Sequence, residues 1–264
     1  MIGNARIVLA VFFVVLVTFV LLPIHLLLLA LRHPWRTRLP KYWHRAALWA
    51  IGIKVVTHGR IDSRRPLLVA ANHISWLDIL VLASVADVTY VAKSEVRDWP
   101  VFGFLAKLQR SIFVVREQRQ RTQDQADEIA ERLGAGEIVV LFPEGTTSDG
   151  NRLGLIKSSL FAAATSAATH SAGKCVHVQP VAIAYTRIQG MPMGHYHRPI
   201  AAWPGDVELM PHLLGVLREG AIDAEVSFGE AIDVTPGSNR KEISARAERQ
   251  IRAMLEDRLR GREH

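Results

Sequence analysis

The longest apolar stretch of the chain lies near its start. From residue 7 to residue 30, only Thr18, Pro23 and His25 interrupt a run of apolar side chains. A helix of this length spans roughly 36 Å at about 1.5 Å per residue, which is enough to cross the hydrocarbon core of a bilayer. The run is longer than the apolar part of a cleaved signal peptide, and it lacks a small-residue cleavage site. The pattern therefore predicts a retained membrane segment.

Basic residues are concentrated after this segment. Those that follow it closely are Arg32, Arg36, Arg38, Lys41 and Arg45. Because only Arg6 precedes the segment, the positive-inside rule predicts that the rest of the chain is cytoplasmic. Pro23 leaves a second arrangement open, a kinked helix or re-entrant pair that stays in one leaflet. The pattern of residues 44–56 predicts a second helix, which lies at the membrane interface. We therefore divide the chain into residues 1–57, an anchor with an interfacial helix at the inner (cytoplasmic) membrane, and a larger domain, residues 58–264.

In the larger domain, short apolar runs alternate with helical patterns. Strands are predicted at residues 67–71, 89–92, 112–115, 138–142, 177–184 and 225–228. Helices are predicted at residues 75–85, 118–134 and 158–170, whereas residues 186–222 have a loop-like composition. From residue 238 onward, apolar positions at helical spacing and many arginines predict a basic amphipathic helix. The alternation predicts an α/β fold, with a mixed, partly parallel sheet flanked by helices and an N-terminal membrane-embedded helical segment.

The chain is basic, with a formal charge of +7 and a pI near 9.9. This charge favours an anionic partner, either phospholipid head groups or nucleic acid. The arginines lie after the apolar run and on the C-terminal helix, without the interleaved aromatic residues of a nucleic-acid site. We therefore expect an anionic membrane as a partner and no nucleic acid. Cys175 is the only cysteine, which excludes an intramolecular disulfide and a cysteine-rich metal site.

The sequence N-H-I-S-W-L-D, residues 72–78, directly follows a predicted buried strand. Sites of open α/β sheets collect at the carboxyl ends of strands. His73 could act there as a base, and Asp78 could hold its tautomer. Five residues exceed one helical turn, so this pair requires that His73 lies in the loop and turns back towards Asp78. From the spacing alone, a helix capped by Asn72 with both side chains in solvent is an equally good interpretation.

Further candidate segments also follow or form predicted strands. Residues 142–148 (F-P-E-G-T-T-S) combine N–H and hydroxyl donors that suit an anion, although an ordinary turn has the same composition. Arg116 ends the strand I-F-V-V and is either a phosphate-binding fork or a solvated charge. Pro180 inside a predicted strand indicates an edge strand or a bulge. His195 and His197 lack further ligands at a useful spacing, so we predict no metal site.

In this order, these segments resemble the glycerolipid acyltransferase family, in particular the bacterial lysophosphatidic acid acyltransferases. The family's N-H-x-x-x-x-D block is present in full, and Pro180 matches its proline block. Arg110 stands where the I-F-V-V-R block usually begins with glycine, and Thr147 stands where the F-P-E-G-T block is usually followed by arginine. Further matching positions are Lys93, Glu95, Pro100, Gly103 and Lys157. The resemblance runs from about residue 60 to residue 230.

The resemblance implies an acyltransferase domain over residues 58–264 that moves a fatty acyl group to the free hydroxyl of a lysolipid. The acyl donor would be acyl-CoA or acyl-acyl carrier protein, as a co-substrate, with no resident cofactor; in the second case acyl carrier protein is also a partner. His73 would take the hydroxyl proton and Asp78 would orient it. The residues implied in holding the substrates are Arg116, Glu144, Gly145, Thr146 and Lys93.

The acceptor is the open point of this interpretation. Lysophosphatidic acid is the default and would give phosphatidic acid in phospholipid biosynthesis. Another lysolipid, such as lyso-ornithine lipid, is the alternative, because Arg110 and Thr147 change the acceptor blocks. A lipid hydrolase would normally carry a G-x-S-x-G nucleophile elbow, which this sequence lacks. A thioester is already activated, so acyl transfer needs a base for the hydroxyl and no covalent nucleophile.

Overall fold

Helices and strands alternate through the computed structural model, which describes residues 2–114, 122–170, 175–205 and 207–261. The helices of the described residues are α1 (Ile2–Ala30), α2 (Trp35–Ile51), α3 (Leu77–Val85), α4 (Phe102–Leu108), α5 (Thr122–Gly134), α6 (Ala162–His170), α7 (Leu209–Glu219) and α8 (Arg240–Leu259). The strands are β1 (Ile53–His58), β2 (Leu67–Ala71), β3 (Val88–Lys93), β4 (Ile112–Val114), β5 (Ile138–Leu141), β6 (Val176–Ile188), β7 (Met191–Pro192), β8 (Ile222–Phe228) and β9 (Ile232–Val234).

All of these strands belong to one mixed sheet. Its order is β1-β8-β6-β2-β5-β3-β4, and β7 and β9 also pair with β6. Five strands, β6, β2, β5, β3 and β4, run parallel to one another. Strand β8 is antiparallel to β6, and β1 is parallel to β8. The predicted mixed, partly parallel sheet is confirmed. Strands β2, β5 and β3 therefore end at one edge of the sheet, which we call the carboxyl edge, and begin at the opposite amino edge.

Helices cover both faces of the sheet, as expected for strands whose residues are almost all apolar. On one face, α2, α3 and α7 pack on Val69 and Val140 through residues such as Leu48, Val81 and Val216. On the other face, α5, α6 and α8 contribute Leu133, Ala164 and Ile251 to a second apolar cluster. Helix α1 lies outside α2, and of its residues only Ala10 belongs to the first cluster. The predicted amphipathic C-terminal helix is confirmed as α8.

Two predictions of secondary structure are wrong. The predicted helix over residues 44–56 corresponds in fact to α2, which ends at Ile51, and to β1, because Gly52 takes a left-handed φ of 81° between them. The sheet thus begins before residue 57, and the division of the chain at that residue stays a prediction. The segment 186–222, predicted as loop, contains α7, whose helical spacing is obscured in the sequence by Pro211 and Gly215.

Pro180 lies in the centre of the sheet rather than at its edge, so the prediction from this residue is also wrong. On one side β6 pairs with β2, where Pro180 faces Ala70. On the other side β8 pairs with β6 from Val181 onward and β9 pairs with it up to Val178, so Pro180 lies at the break between these two strands. A proline can occupy a central strand here because its missing N–H falls where the ladder is interrupted.

Arg110 lies just before β4, at the amino edge of the sheet, away from the carboxyl edge where β2 ends. Its φ of 61° is in the left-handed region, which explains why glycine is usual at this position. Its guanidinium donates to Glu137 at 2.6 Å. Burial would raise the pKa of Glu137, but the hydrogen bond from Thr89 and the charges of Arg132 and Arg110 outweigh it and hold that pKa low. The interpretation of Arg110 as a change to the acceptor side is therefore wrong.

Substitution of Arg110 is expected to change stability without changing the acceptor. Arg110→Ala loses the ion pair and keeps the backbone strain, whereas Arg110→Gly loses the ion pair and relieves the strain. We expect the alanine variant to be less stable than the glycine variant by about 1 kcal/mol, or a Tm difference of about 2–4 °C. Thermal unfolding and acyl transfer to two lysolipids would be measured. A changed acceptor preference in either variant would contradict the conclusion that Arg110 lies away from the acceptor site.

Candidate active site

The candidate site residues converge at the carboxyl edge of the sheet. His73 follows β2, Glu144 follows β5, and Lys93 is the last residue of β3. The two loops after β2 and β5 are joined directly, because the N–H and the hydroxyl of Ser148 donate to the carbonyl oxygen of His73 at 2.9 and 3.1 Å. Residues that are about 70 positions apart in sequence are thus parts of one site.

His73 and Asp78 form the predicted pair. His73 lies in the loop before α3, whereas Asp78 lies in the first turn of that helix, and Nδ1 of His73 is 2.8 Å from Oδ2 of Asp78. The loop thus turns back as the pair requires, and the solvent-exposed interpretation is wrong for Asp78, which is fully buried. Because a carboxylate only accepts, Nδ1 carries the proton and Nε2 carries the free lone pair. The His73 side chain is 18% exposed, and its Nε2 has no hydrogen-bond partner among the described residues.

Asp78 is held by three further hydrogen bonds. The N–H groups of Ile74 and Ser75 donate to Oδ2 at 2.6 and 2.9 Å, and the Tyr185 hydroxyl donates to Oδ1 at 2.8 Å. Burial and the negative charge of Asp78 raise the pKa of Tyr185 well above its usual value, so this hydroxyl stays a donor. Tyr185 lies on β6, and the sequence carried no signal for its role because 107 positions separate the two residues. These bonds fix the carboxylate in the orientation that faces the imidazole.

Asn72 connects the strands beneath the site and does not cap α3, which is preceded by Trp76. Its amide donates to the carbonyl of Ile183 at 2.9 Å and accepts from the N–H of Ile183 at 2.7 Å. The end of β2 is thereby fixed to β6. Above it, the His73 ring stacks on Phe142, with centroids 4.0 Å apart and an angle of 14° between the planes. The imidazole is therefore held on its face as well as at its edge.

Glu144 is a buried carboxyl group that connects two loops. Its Oε1 accepts from the N–H of His73 at 2.6 Å, and its Oε2 accepts from the N–H of Gly154 at 2.7 Å. Burial raises the pKa of Glu144, against the opposing effect of these two hydrogen bonds. Both oxygens are thus occupied by the backbone. The predicted role of Glu144 in holding the lipid head group stays a prediction, and the geometry favours positioning of the His73 loop.

These two roles of Glu144 predict different kinetics. Glu144→Gln replaces one acceptor oxygen by an amide donor, so one of the two N–H groups loses its partner and the His73 loop is held less firmly. We expect kcat to fall about 10-fold with little change in the KM for the lysolipid. Steady-state kinetics with purified enzyme would test this, with Asn151→Ala as a control, because the Asn151 side chain hydrogen-bonds to Asp149 and Arg198. A rise in KM at constant kcat would instead assign Glu144 to head-group binding.

Gly145 provides space next to a cation. Its φ is 77°, and a Cβ atom at this position would lie only 2.9 Å from Nζ of Lys157. Its N–H donates to the carbonyl of Phe142 at 3.0 Å, so in this structure that group is not available to an anion. The Lys157 ammonium has no hydrogen bond or ion pair among the described residues. Glycine at 145 thus leaves room for an unneutralised positive charge near the His73 loop.

The remaining predicted residues occupy the same edge or fall outside the described ranges. Lys93 is exposed at the end of β3, and its ammonium is unpaired within the described residues. Thr146 is exposed, and a Cβ atom at Gly205 would lie 3.1 Å from its hydroxyl. Arg116 lies outside the described residues. The roles of these three residues stay predictions.

The site defines a class of enzyme. An imidazole held by a buried carboxylate removes a proton from a bound hydroxyl group or water. In the described part of the chain, neither a serine hydroxyl nor the Cys175 thiol hydrogen-bonds to the His73 ring, so the arrangement lacks a covalent nucleophile. An α/β sheet with such a site at its carboxyl edge is suited to transfer a group directly to a hydroxyl.

Comparison with known proteins identifies the group that is transferred. A family model described as acyltransferase matches residues 52–184. A lyso-ornithine lipid O-acyltransferase of Rhizobium meliloti (strain 1021) is 59% identical over 262 residues, which cover 99% of this chain and 90% of the relative. The chain belongs to the acyltransferase family, as the sequence blocks predict.

Other relatives extend this finding. A lyso-ornithine lipid O-acyltransferase of Brucella abortus (strain 2308) is 52% identical over 263 residues, which cover 100% of this chain and 98% of the relative. A 1-acyl-sn-glycerol-3-phosphate acyltransferase of Neisseria gonorrhoeae is 31% identical over 209 residues, which cover 78% of this chain and 76% of the relative. The crystal structure of the 1-acyl-sn-glycerophosphate acyltransferase of Thermotoga maritima is similar in fold, with a TM-score of 0.66, 20% identity and 99% coverage of both chains.

Proposed function

We propose that this enzyme transfers a fatty acyl group from an acyl thioester to the free hydroxyl of lyso-ornithine lipid. The observation that carries the proposal is the identity of 59% and 52%, over almost the whole chain, to two enzymes of that name. Lysophosphatidic acid, the default acceptor from the sequence, has weaker support, because the relatives that use its name are about 31% identical. Lyso-ornithine lipid, the alternative acceptor, is therefore the better interpretation.

The charges around the site support a head group with less negative charge than a phosphate monoester. Thr147 replaces the arginine that is usual in the family, which removes one cation from the third block. Two cations of this edge, Lys157 and Lys93, have no anionic partner among the described residues. An ornithine head group carries a single carboxylate, for which one ammonium such as Lys157 is a sufficient counter-charge.

The mechanism needs one base and one activated ester. Nε2 of His73 takes the proton of the lysolipid hydroxyl as its oxygen attacks the thioester carbonyl carbon. The C–O bond forms, the C–S bond breaks, and the imidazolium returns the proton to the leaving thiolate. Asp78, held by Tyr185 and the backbone, stabilises the imidazolium and keeps its orientation. The donor can be acyl-CoA or acyl-acyl carrier protein.

A matrix of donors and acceptors tests the acceptor. Purified enzyme would be incubated with acyl-CoA or acyl-acyl carrier protein and with lyso-ornithine lipid, lysophosphatidic acid or a third lysolipid, and products would be identified by mass spectrometry. We expect kcat/KM for lyso-ornithine lipid to exceed that for lysophosphatidic acid by about 10-fold or more, which corresponds to about 1.4 kcal/mol. His73→Ala is the inactive control. A preference for lysophosphatidic acid would overturn the proposal.

We further propose that α1 lies in one leaflet of the cytoplasmic membrane, with the catalytic domain on the cytoplasmic side. Within the described residues, Gly3–Ala30 is the one segment that is long and apolar enough to cross a membrane, and 6% of its most apolar window is buried. However, α1 is bound to the catalytic domain at both ends. The Arg6 guanidinium donates to the carbonyls of Ile51 and Arg218, and the His25 ring is 3.1 Å from the carbonyl of Leu108.

Contacts at both ends and in the middle hold α1 alongside the domain. Between Arg6 and His25, Trp43 of α2 donates to the hydroxyl of Thr18 at 2.8 Å. A helix that crossed the bilayer would carry one end roughly 30 Å away from a domain on one side, and these contacts could not all form. These contacts therefore favour the arrangement of α1 in one leaflet, which the sequence left open. The exposed apolar side chains of α1, such as Phe12 and Phe19, would then face lipid.

The two arrangements place the ends of α1 differently. In a Cys175→Ser background, Asn4→Cys and His33→Cys would each be tested with a membrane-impermeant maleimide in inverted membrane vesicles. We expect both positions to react from the cytoplasmic face, because an in-plane helix keeps both ends on one side. Ser63→Cys in the catalytic domain is the positive control. Protection of Asn4→Cys until detergent is added would indicate a spanning helix.

A further inference from the structure

Three metal-ligating side chains lie together at the amino edge of the sheet. Sγ of Cys175, a ring nitrogen of His177 and a carboxylate oxygen of Asp233 are all within 4.8 Å of one another. They form the only group of three or more such side chains with this spacing in the part of the chain that the structure describes. His177 pairs with Leu67 at the beginning of β2, whereas His73 follows the end of that strand. The cluster is therefore separate from the candidate active site.

The backbone fixes two of the three side chains relative to each other. His177 on β6 and Asp233 on β9 are direct cross-strand partners in an antiparallel pair. Nδ1 of His177 is 2.8 Å from Oδ1 of Asp233, so these two atoms face each other, and an ion bound by both would replace the proton that they share. Cys175 lies two residues before His177, on the same face of the extended chain. Ligands on paired strands are held more rigidly than ligands on loops.

The donor types and charges fit a divalent transition-metal ion. Thiolate, imidazole and carboxylate are the three side chains that bind Zn²⁺, at about 2.0–2.3 Å. A tetrahedral ion with these bond lengths holds its ligands about 3.3–3.8 Å apart, which side-chain rotation can reach from the observed spacing. One thiolate and one carboxylate also balance a charge of two. A soft sulfur ligand disfavours Mg²⁺ and Ca²⁺.

Arg64 is the neighbouring charge that a metal ion would have to displace. Its guanidinium is 3.2 Å from Oδ1 of Asp233, but it makes closer contacts with Asp62, at 2.7 Å. The Arg64 side chain is 47% exposed. It can therefore release Asp233 to a metal ion and keep its main partner.

We propose that Cys175, His177 and Asp233 bind one Zn²⁺ or a similar divalent transition-metal ion, with solvent at the fourth position. Binding releases the thiol proton and joins β6 to β9 through the ion. The site is not part of the acyl transfer reaction, so its role is to stabilise this edge of the sheet.

Cobalt provides a direct test, because a Co²⁺–thiolate bond absorbs in the near ultraviolet and tetrahedral Co²⁺ absorbs in the visible. Full-length protein without a histidine tag, purified in detergent, would be titrated with Co²⁺ and then with Zn²⁺. We expect a saturable signal at one Co²⁺ per chain, its loss on adding Zn²⁺, and a higher Tm with Zn²⁺. Cys175→Ser should abolish the thiolate band, and Asp233→Asn should weaken binding at least 10-fold.

Matched controls separate this site from adventitious binding. His195→Gln changes an exposed histidine outside the cluster and should leave the titration unchanged. Acyl transfer by Cys175→Ser at the wild-type rate would show that the variant is folded. Absence of the thiolate band in the wild-type protein, or its persistence in Cys175→Ser, would overturn the proposal. Because the readout is spectroscopic, this result is independent of which lysolipid is the acceptor.

Discussion

Replacement of His73 by alanine is expected to lower kcat for acyl transfer by about 10²–10⁴-fold, the usual contribution of a positioned base. Nε2 of His73 is the candidate proton acceptor, and the thioester needs no other activation. The fold should persist, because Asp78 keeps its hydrogen bonds from the N–H groups of Ile74 and Ser75 and from Tyr185. Initial rates with lyso-ornithine lipid, together with circular dichroism, would measure both properties.

A matched control for this variant is His212→Ala. His212 accepts a hydrogen bond from Trp76 near the same loop but does not contact the pair. We expect it to keep most of its activity. If His73→Ala retained more than about a tenth of the wild-type rate, the loss would be less than about 10-fold. That is smaller than the minimum of about 10²-fold for a positioned base, so His73 would not be the base.

Asp78→Asn is expected to have a comparable effect on kcat, about 10²–10⁴-fold, through the tautomer of His73. An asparagine amide that donates to Nδ1 places the ring proton on Nε2, which can then no longer accept the substrate proton. Four donors face the carboxylate, and an amide can accept only from those on its oxygen. We therefore also expect a loss of about 1–3 kcal/mol in the free energy of unfolding. Kinetics and denaturant unfolding would be compared.

Tyr185→Phe separates the two effects in Asp78→Asn. It removes one donor to the carboxylate but keeps the charge and the His73 tautomer. We expect a stability loss of about 1 kcal/mol and a decrease in kcat of less than about 10-fold. An equal loss of activity in Tyr185→Phe and Asp78→Asn would indicate that the tautomer is not the important factor.

The sequence predicted those parts of the fold and the site that depend on local patterns. The alternation of apolar runs predicts β2, β3 and β5, and the position of His73 after a buried strand places it at the carboxyl edge. The spacing of five residues between His73 and Asp78 predicts that the loop must turn back for the two side chains to pair. These features are visible because their causes lie within a few residues of each other.

Features that depend on distant partners could not be predicted in this way. Tyr185 reaches Asp78 across two neighbouring strands, and Pro180 fits a central strand only because β8 and β9 leave a break beside it. In the sequence, Arg6 is only the single basic residue before the apolar segment, which the positive-inside rule compares with those after it. In the structure its guanidinium is enclosed between Gly52 and Gly220, where any Cβ atom would lie within 2.5 Å of it. Each of these roles is defined by strand order, which periodicity does not contain.

The binding of Arg6 and the pairing of β1 with β8 have a consequence for biosynthesis. Helix α1 and β1 leave the ribosome well before their partners Arg218 and Ile222, which follow roughly 210 and 170 residues later. At about 5–20 residues per second, this delay lasts about 10–40 s. During that interval the apolar helix can pack on α2 but lacks its contacts with α7, so the nascent chain depends on the membrane or on a chaperone to shield its remaining apolar surface. Helix α1 is therefore synthesised early and completes its contacts late.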